Sequence, residues 1–147
     1  MQLQQTISEK IADDYLALIF TNIEAWSNLL ADEAIMELPY AAALGVPPRL
    51  EGKSAIYNYL KPAMALMPNM TFTNVCKYPT IDPNLLWLEV HGEAIIPATG
   101  HHYRQDFAIR IQVEEGKIVH IREYTNTIAS MEAFGINHPT LNRAVGK

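Results

Sequence analysis

The sequence has little of several features that would indicate a particular class of protein. It contains one cysteine, Cys76, which excludes an intramolecular disulfide framework. No run approaches the roughly 20 apolar residues of a membrane span. Lysine and arginine number 11 against 16 aspartates and glutamates, so the net charge is −5 and there is no basic excess. We therefore expect neither nucleic acid nor a membrane as a partner.

The composition is that of an ordinary globular domain. Hydrophobic residues make up 49% and charged residues 18% of the 147 residues, which is enough chain for one domain, 1–147, with a core and a small cavity. Residues 1–5 lack the charged start and apolar core of a signal peptide. We expect a cytoplasmic protein.

The N-terminal pattern predicts an amphipathic helix. Apolar residues recur at helical spacing from Ile7 to Ile19, and the helix should end near Asn22. Thr6 followed by Glu9 is typical of a capping box at its start.

Two more helices are expected in the N-terminal half of the chain, before the four long strands. A short helix is predicted at 24–30 and a longer one at 54–67, capped by Ser54. Pro62 falls inside the second pattern and should bend that helix or divide it into two short pieces. Residues 40–51 form the long irregular stretch, and loops of this length often cover a site.

Period-2 alternation predicts strands in the remainder of the chain. Helices that precede strands indicate an α+β domain rather than alternating βαβ units. The sheet should curve, with the N-terminal helices on its concave face. The predicted strands are a short one at 34–38, stopped by Pro39, and four that form an antiparallel meander at 70–78, 85–96, 103–113 and 117–126.

The last predicted strand carries the most informative polar residue. Val119, Ile121, Glu123 and Thr125 share one face, so a carboxylate continues an apolar row. A carboxyl group in such a place loses hydration, which raises its pKa toward the range of a general acid/base near neutral pH. Glu123 is the candidate catalytic residue.

Other polar side chains could act together with Glu123. If the apolar row 107–113 is the concave face of the preceding strand, Tyr103 and Gln105 continue that face toward its open end. With Tyr15 of the first helix, they could orient the carboxyl group or stabilise an enolate-like oxyanion. Such a set suits proton transfer next to a carbonyl group.

The same residues have a structural interpretation. Glu123 could face the other way and pair with Arg104 or Arg110. Tyr15 and Tyr59 could be core tyrosines whose hydroxyls each find one partner.

The histidines do not have the spacing of a metal site. His101 and His102 are adjacent and point to opposite faces of a strand, while His91 and Glu93 share a face with alternating polar residues. Such alternation is typical of a solvated or dimer-facing side. We expect no metal.

The order of elements resembles the nuclear transport factor 2-like superfamily. Particular motifs are similar to the A and B proteins of phenazine biosynthesis, in the branch of SnoaL-like polyketide cyclases. These motifs are Asp82-Pro83-Asn84, Trp87, Glu89, Gly92, Glu115-Gly116-Lys117-Ile118, Arg122-Glu123-Tyr124-Thr125-Asn126 and Ile136-Asn137-His138-Pro139.

The resemblance implies a fold and a site. The fold is a cone-shaped curved antiparallel sheet wrapped around three N-terminal helices, a cystatin-like α+β barrel with a pocket. Glu123 matches the strand-end glutamate that acts as general acid/base in the phenazine proteins. Tyr59 and Trp26 stand where those proteins have a histidine and a basic residue, so groups that would bind a substrate carboxylate are missing. Tyr15 matches the hydrogen-bonding tyrosine of ketosteroid isomerases, whose aspartate base falls at Leu38.

These observations favour a cofactor-independent acid/base enzyme, an isomerase, cyclase or related enzyme acting on a small apolar or aromatic molecule. Glu123 would move the proton, and Tyr15, Trp26, Leu38, Tyr59, Tyr103 and Gln105 would bind the substrate. The alternative is a non-catalytic ligand-binding or scaffold protein of the same fold. A homodimer is expected, because the resemblance implies it and because both faces of the long strands carry apolar groups that need cover. The face opposite Glu123 is predicted to carry Leu86, Leu88 and Val90, or else the residues that alternate with them.

Overall fold

A computed structural model describes residues 5–136, and the closing motif residues Asn137, His138 and Pro139 lie outside it. Four helices and six strands occupy the described range, together with a short 3-10 turn at Ala41–Leu44. The helices are α1 Ile7–Leu18, α2 Ile23–Ser27, α3 Lys53–Ala65 and α4 Thr127–Phe134, and the strands are β1 Leu30–Glu37, β2 Arg49–Glu51, β3 Thr71–Pro79, β4 Leu85–Ile95, β5 His102–Glu114 and β6 Lys117–Tyr124.

The strands form one curved sheet in the order β2-β1-β6-β5-β4-β3. Strands β3 to β6 are an antiparallel meander, as the alternating pattern predicts. Strand β1 lies outside this meander and pairs with β6 in parallel, so the sheet is antiparallel except at that one junction. That pairing puts the short N-terminal strand beside the strand that carries Glu123.

The capping box predicted for α1 is confirmed. The Thr6 side chain accepts a hydrogen bond from the backbone N–H of Glu9 (3.2 Å), and the Glu9 carboxylate accepts one from the backbone N–H of Thr6 (2.8 Å). These two bonds satisfy donors that a helix start otherwise leaves without partners. The helix ends at Leu18, a turn earlier than the pattern predicts.

Helix α3 differs from its prediction at its N-cap and at Pro62. Its N-cap is Gly52, at φ 93°, and not Ser54. The helix also continues unbroken through Pro62. Proline removes one hydrogen bond to the carbonyl four residues earlier, here that of Asn58, which is exposed and has access to water.

The segment 40–51 is more regular than its composition predicts. It contains the 3-10 turn and also β2, which pairs with β1 so that Met36 lies opposite Leu50. Strand β1 begins at Leu30 instead of residue 34, and α2 ends at Ser27. Strand β2 has three residues, which is too few to show an alternating pattern, and the glycine and prolines before it indicate a loop.

The inner face of the sheet forms the core with the helices. Strand β4 buries Leu86, Leu88 and Val90 opposite the buried β5 residues Ile111, Ile109 and Phe107. Residues paired across neighbouring strands project to the same side, so the prediction that this β4 row occupies the outer face is wrong.

The outer face carries the alternate residues of the same strands, and many of them are ionic. His91 contacts Asp106 (2.8 Å) and Glu93 (3.0 Å), and His102 contacts Glu93 (2.8 Å). This face therefore lacks the aliphatic row on which the dimer prediction depends, and the homodimer stays a prediction. Among the described helices, none combines the length and the apolar character needed to cross a bilayer.

Candidate active site

A cavity of about 470 Å³ lies between the inner face of the sheet and helices α1, α3 and α4. Its size suits a small organic molecule. Most of its wall is apolar, and methionines, which adapt to irregular shapes, are prominent in it. The apolar lining residues are Ile19, Phe20, Met36, Leu38, Ala41, Leu44, Val46, Leu60, Ala63, Met64, Leu66, Met67, Met70, Phe72, Phe107, Ile109, Phe134 and Ile136.

Glu123 is the charged residue of this lining, counted among the residues that the structure describes. It lies opposite Ile109 in the β5–β6 pairing, on the inner face, as predicted. The predicted row is wrong at Val119, because a register shift after Gln112 puts the fully buried Ile118 opposite Val113 instead. The interpretation in which it pairs with an outer-face arginine is therefore excluded. Burial raises the pKa of the Glu123 carboxyl from 4.5 to about 7, against a smaller lowering by the Tyr15 hydroxyl.

Tyr15 brings a hydroxyl from α1 to the carboxyl group. Its side chain is 1% exposed, and its oxygen has no hydrogen-bond partner within residues 5–136. Burial, followed by the charge of Glu123, raises the pKa of Tyr15 well above its usual value. The hydroxyl is thus close enough to Glu123 for each group to shift the pKa of the other, although their geometry falls outside that of a hydrogen bond. A buried hydroxyl without a hydrogen-bond partner beside a carboxyl group can interact with that group once it is ionised.

Tyr103 and Ser130 contribute hydroxyls from β5 and α4. The Tyr103 oxygen lies 3.4 Å from the Ser130 oxygen and accepts a hydrogen bond from the Gln105 amide. The Gln105 carbonyl oxygen accepts the backbone N–H of Asn126 at 2.7 Å. Burial raises the pKa of Tyr103, and the hydrogen bonds with Ser130 and Gln105 oppose that rise.

The structure divides the predicted substrate-binding residues into two groups. Tyr15, Leu38, Tyr59 and Tyr103 line the cavity. Burial, together with the charge of Glu123, raises the pKa of the Tyr59 hydroxyl. The charge of Glu123 therefore contributes to the raised pKa of Tyr15, Tyr59 and Tyr103, which surround the same space.

Trp26 and Gln105 were predicted to bind substrate, and the structure places both outside the cavity lining. Trp26 is fully buried behind Tyr15, with ring centroids 5.3 Å apart at 68°. Gln105 is 4% exposed and lies behind Tyr103. Both residues contact side chains that line the cavity. Helical spacing or strand alternation shows which face a residue occupies, and only tertiary packing decides whether it reaches the cavity.

Two polar lining residues, Thr125 and Ser130, are absent from the predicted binding residues. The alternating pattern places Thr125 on the face of Glu123 but assigns it no role. Ser130 follows Asn126, whose side chain caps α4 by accepting the N–H groups of Ile128 and Ala129. Phe134 of the same helix also lines the cavity.

The donor set of the cavity is one carboxyl group and several hydroxyls. Elsewhere in residues 5–136, no cluster of three or more His, Cys, Asp or Glu side chains has an arrangement that could hold a metal ion. The cavity residues can transfer a proton and donate hydrogen bonds to an oxygen atom.

A family model for the SnoaL-like domain matches residues 15–121 of this chain. The chain belongs to the SnoaL-like domain family. Among its relatives, the uncharacterized protein YesE of Bacillus subtilis is 35% identical over 114 residues, which cover 78% of this chain and 77% of YesE. An uncharacterized PhzA/B-like protein of Pseudomonas aeruginosa, PA3332, is 31% identical over 113 residues, covering 75% and 77% of the two chains. The predicted similarity to the phenazine A and B proteins is confirmed.

The SnoaL-like domain also has solved structural neighbours. A Bacillus subtilis protein described provisionally as an isomerase superimposes with a TM-score of 0.83 at 31% identity, covering 89% of this chain and 94% of that one. The prediction of a nuclear transport factor 2-like α+β fold is confirmed. The family match ends at residue 121, before Glu123, so membership establishes the fold and leaves the role of this carboxyl group to its geometry.

Proposed function

We propose that this SnoaL-like domain is a cofactor-independent acid/base enzyme that moves a proton on a carbon next to a carbonyl group. The observation that carries the proposal is the Glu123 carboxyl, placed among phenolic hydroxyls in an apolar cavity, with a pKa of about 7. A group with this pKa exists in both protonation states near neutral pH, as a proton shuttle requires.

The proposed reaction balances without another reactant. Glu123 in its carboxylate form takes a proton from the carbon beside the substrate carbonyl, and the electron pair of the C–H bond moves into an enolate. Hydroxyl donors in the cavity stabilise the enolate oxygen. In a conjugated enolate the carboxylic acid then returns the proton to another carbon, which gives isomerisation. Alternatively, the enolate carbon attacks a second carbonyl carbon of the same molecule; the π electron pair of that C=O bond moves to its oxygen, which takes the proton from the carboxylic acid, and the product is cyclised.

The cavity lining supports a small, neutral, apolar or aromatic substrate. No lysine, arginine or histidine belongs to the lining within the described residues, so an anionic group would enter without a counter-ion. The carboxylate of Glu123 would also repel it. Tyr59 and Trp26 replace the basic groups that the phenazine proteins are expected to use, which agrees with a neutral substrate.

The provisional description of the Bacillus subtilis neighbour as an isomerase concerns that protein and agrees with this reaction class. The alternative is ligand binding without catalysis, and the same cavity would serve it.

Exchange of the α-hydrogens of 2-tetralone, a neutral bicyclic ketone, into D₂O tests the proposal by NMR. Wild type should accelerate exchange, and Glu123→Gln should lower the rate by about 100-fold or more, the usual contribution of a general base. Glu89→Gln is the matched control, because Glu89 is exposed and lies on the outer face of β4. If 2-tetralone binds the wild type without exchange, the non-catalytic alternative is correct. Equal exchange in wild type and Glu123→Gln would remove Glu123 from the mechanism.

A further inference from the structure

Several side chains of the cavity carry hydroxyls, and the proposed function does not by itself say which of them contacts the reacting oxygen. Tyr15, Tyr59, Tyr103, Thr125 and Ser130 all line the space. The donor must keep a proton that no protein group already takes, and its oxygen must be held in place.

The Gln105 amide is fixed in one orientation by its partners. Its carbonyl oxygen accepts the backbone N–H of Asn126 at 2.7 Å, and a flipped amide would place two donors face to face there. The amide nitrogen therefore points to Tyr103, whose oxygen accepts its hydrogen. At 4% exposure, Gln105 is screened from water that could compete for these bonds.

This orientation decides where the Tyr103 proton can go. Because the oxygen accepts from Gln105, the O–H must point away from that amide, toward Ser130 or into the cavity. The contact with Ser130 is long, at 3.4 Å, and the Ser130 hydroxyl has another acceptor in the Asn126 carbonyl, also at 3.4 Å. The Tyr103 proton is thus weakly held and available to a substrate oxygen. Hydrogen bonding from the amide also makes a phenol a better donor.

Tyr15 is placed for a different task. Its hydroxyl is close enough to Glu123 for the charge of the carboxylate to raise the pKa of Tyr15, and it has no other partner in residues 5–136. When Glu123 is ionised, ready to act as base, its negative charge draws the Tyr15 proton toward the carboxylate. What distinguishes Tyr103 among the three cavity tyrosines in residues 5–136 is that its oxygen accepts a hydrogen bond from another side chain, the Gln105 amide, which holds it in place.

We propose that Tyr103 donates the hydrogen bond to the substrate carbonyl oxygen and that Gln105 is the positioning residue that holds it there. The inference rests on the proposed function for the identity of the ligand oxygen. Gln105 also fixes the backbone of Asn126, three residues after Glu123 in the sequence, and so links the donor to the segment that carries the base. One buried amide sets the separation of the two groups that act on the substrate.

Infrared spectroscopy of bound 2-tetralone tests this assignment independently of turnover. Difference spectra between the ¹³C=O and ¹²C=O forms isolate the carbonyl stretch, which moves to lower frequency when the oxygen accepts a hydrogen bond. Wild type should show this shift. Tyr103→Phe should lose it, and Gln105→Met, which keeps the side-chain length but donates no hydrogen bond, should lose or broaden it. Tyr15→Phe and Tyr59→Phe, which also remove one cavity hydroxyl each, should retain it.

The exchange assay gives the second readout. Tyr103→Phe should lower the α-exchange rate by about 100-fold, the usual cost of removing one oxyanion donor. Thermal unfolding of each variant establishes that it is folded, and Tyr103→Phe decides the matter if Gln105→Met does not fold.

The outcomes separate the two proposals. A shift that persists in Tyr103→Phe, or that is lost in Tyr15→Phe, overturns the assignment of Tyr103 and leaves the proposed function intact. A shift that depends on Tyr103 without any wild-type exchange supports the assignment and overturns the proposed function. If wild type does not bind the ketone, or binds it without a shift, the assignment is wrong.

Discussion

Replacing Glu123 by glutamine should make the protein more stable at neutral and alkaline pH, because it removes a buried group that must ionise there. The carboxyl pKa is about 7 in the folded protein against 4.5 ordinarily. Below pH 4.5 the group is protonated in both states and costs nothing. Between pH 4.5 and about 7 the folded state holds a proton that the unfolded chain releases, so the free energy of unfolding falls as pH rises.

The magnitude follows from the same two pKa values. Their difference corresponds to about 3 kcal/mol, at roughly 1.4 kcal/mol for each pKa unit. The full loss is reached above pH 7, where both states are ionised. Such an amount is a large fraction of the total stability of an ordinary domain, which is about 5 to 15 kcal/mol.

Urea unfolding of wild type and Glu123→Gln from about pH 4 to about pH 9 measures the effect. The difference between the two chains cancels titrations that both share, such as those of Glu37 and His91. We expect the stability of the variant relative to wild type to rise by about 3 kcal/mol across the window. Glu89→Gln, an exposed carboxyl, should show no comparable trend. A flat difference for Glu123→Gln would mean that the carboxyl keeps its ordinary pKa on folding, and the proposed proton shuttle would lose its physical basis.

Three further predictions concern the fold and the outer face. Gly92→Ala should destabilise the protein by about 1 to 3 kcal/mol, because its Cβ would lie 2.8 Å from the Phe107 ring; unchanged urea unfolding would contradict this packing. Thr6→Ala should cost about 1 kcal/mol by removing the capping bond of α1, and the same unfolding curves would reveal an unaltered midpoint if the cap contributes nothing. Asp106→Asn should lower the pKa of His91 as followed by NMR titration, since the hydrogen bond with Asp106 is the main cause that raises it; an identical titration in both proteins would show that the pair does not form in solution.

The prediction of the fold succeeded where one strong local pattern was present. Alternation on the last two strands of the meander placed Ile109, Ile121 and Glu123 on the inner face correctly. The capping box of α1 was also correct, because its chemistry lies within four residues. These signals depend on neighbours in the sequence and need no knowledge of packing.

The predictions were wrong where tertiary packing, and not the local sequence, determines which face a residue occupies or which strands pair. Strand β4 begins with the run Leu85, Leu86, Trp87 and Leu88, which is apolar in both phases, so alternation could not tell the inner from the outer face until the register with β5 was known. The three-residue strand β2 is too short for any period. The prediction that Gln105 binds substrate is wrong because of packing as well. Its position in the alternating pattern is that of an inner-face residue, but its amide contacts the Tyr103 hydroxyl and does not line the cavity.

The parallel pairing of β1 with β6 determines when this site can form during folding. Strand β1 ends at Glu37 and β6 begins at Lys117, so the two must meet across most of the chain. Contacts of such long separation form slowly, because the intervening segment loses freedom before the pairing stabilises it. During synthesis β1 leaves the ribosome well before β6, the strand with which it pairs in parallel. Tyr15 and Glu123 therefore come together only when β6 joins the sheet, and α4, which follows β6 in the sequence, completes the wall of the cavity.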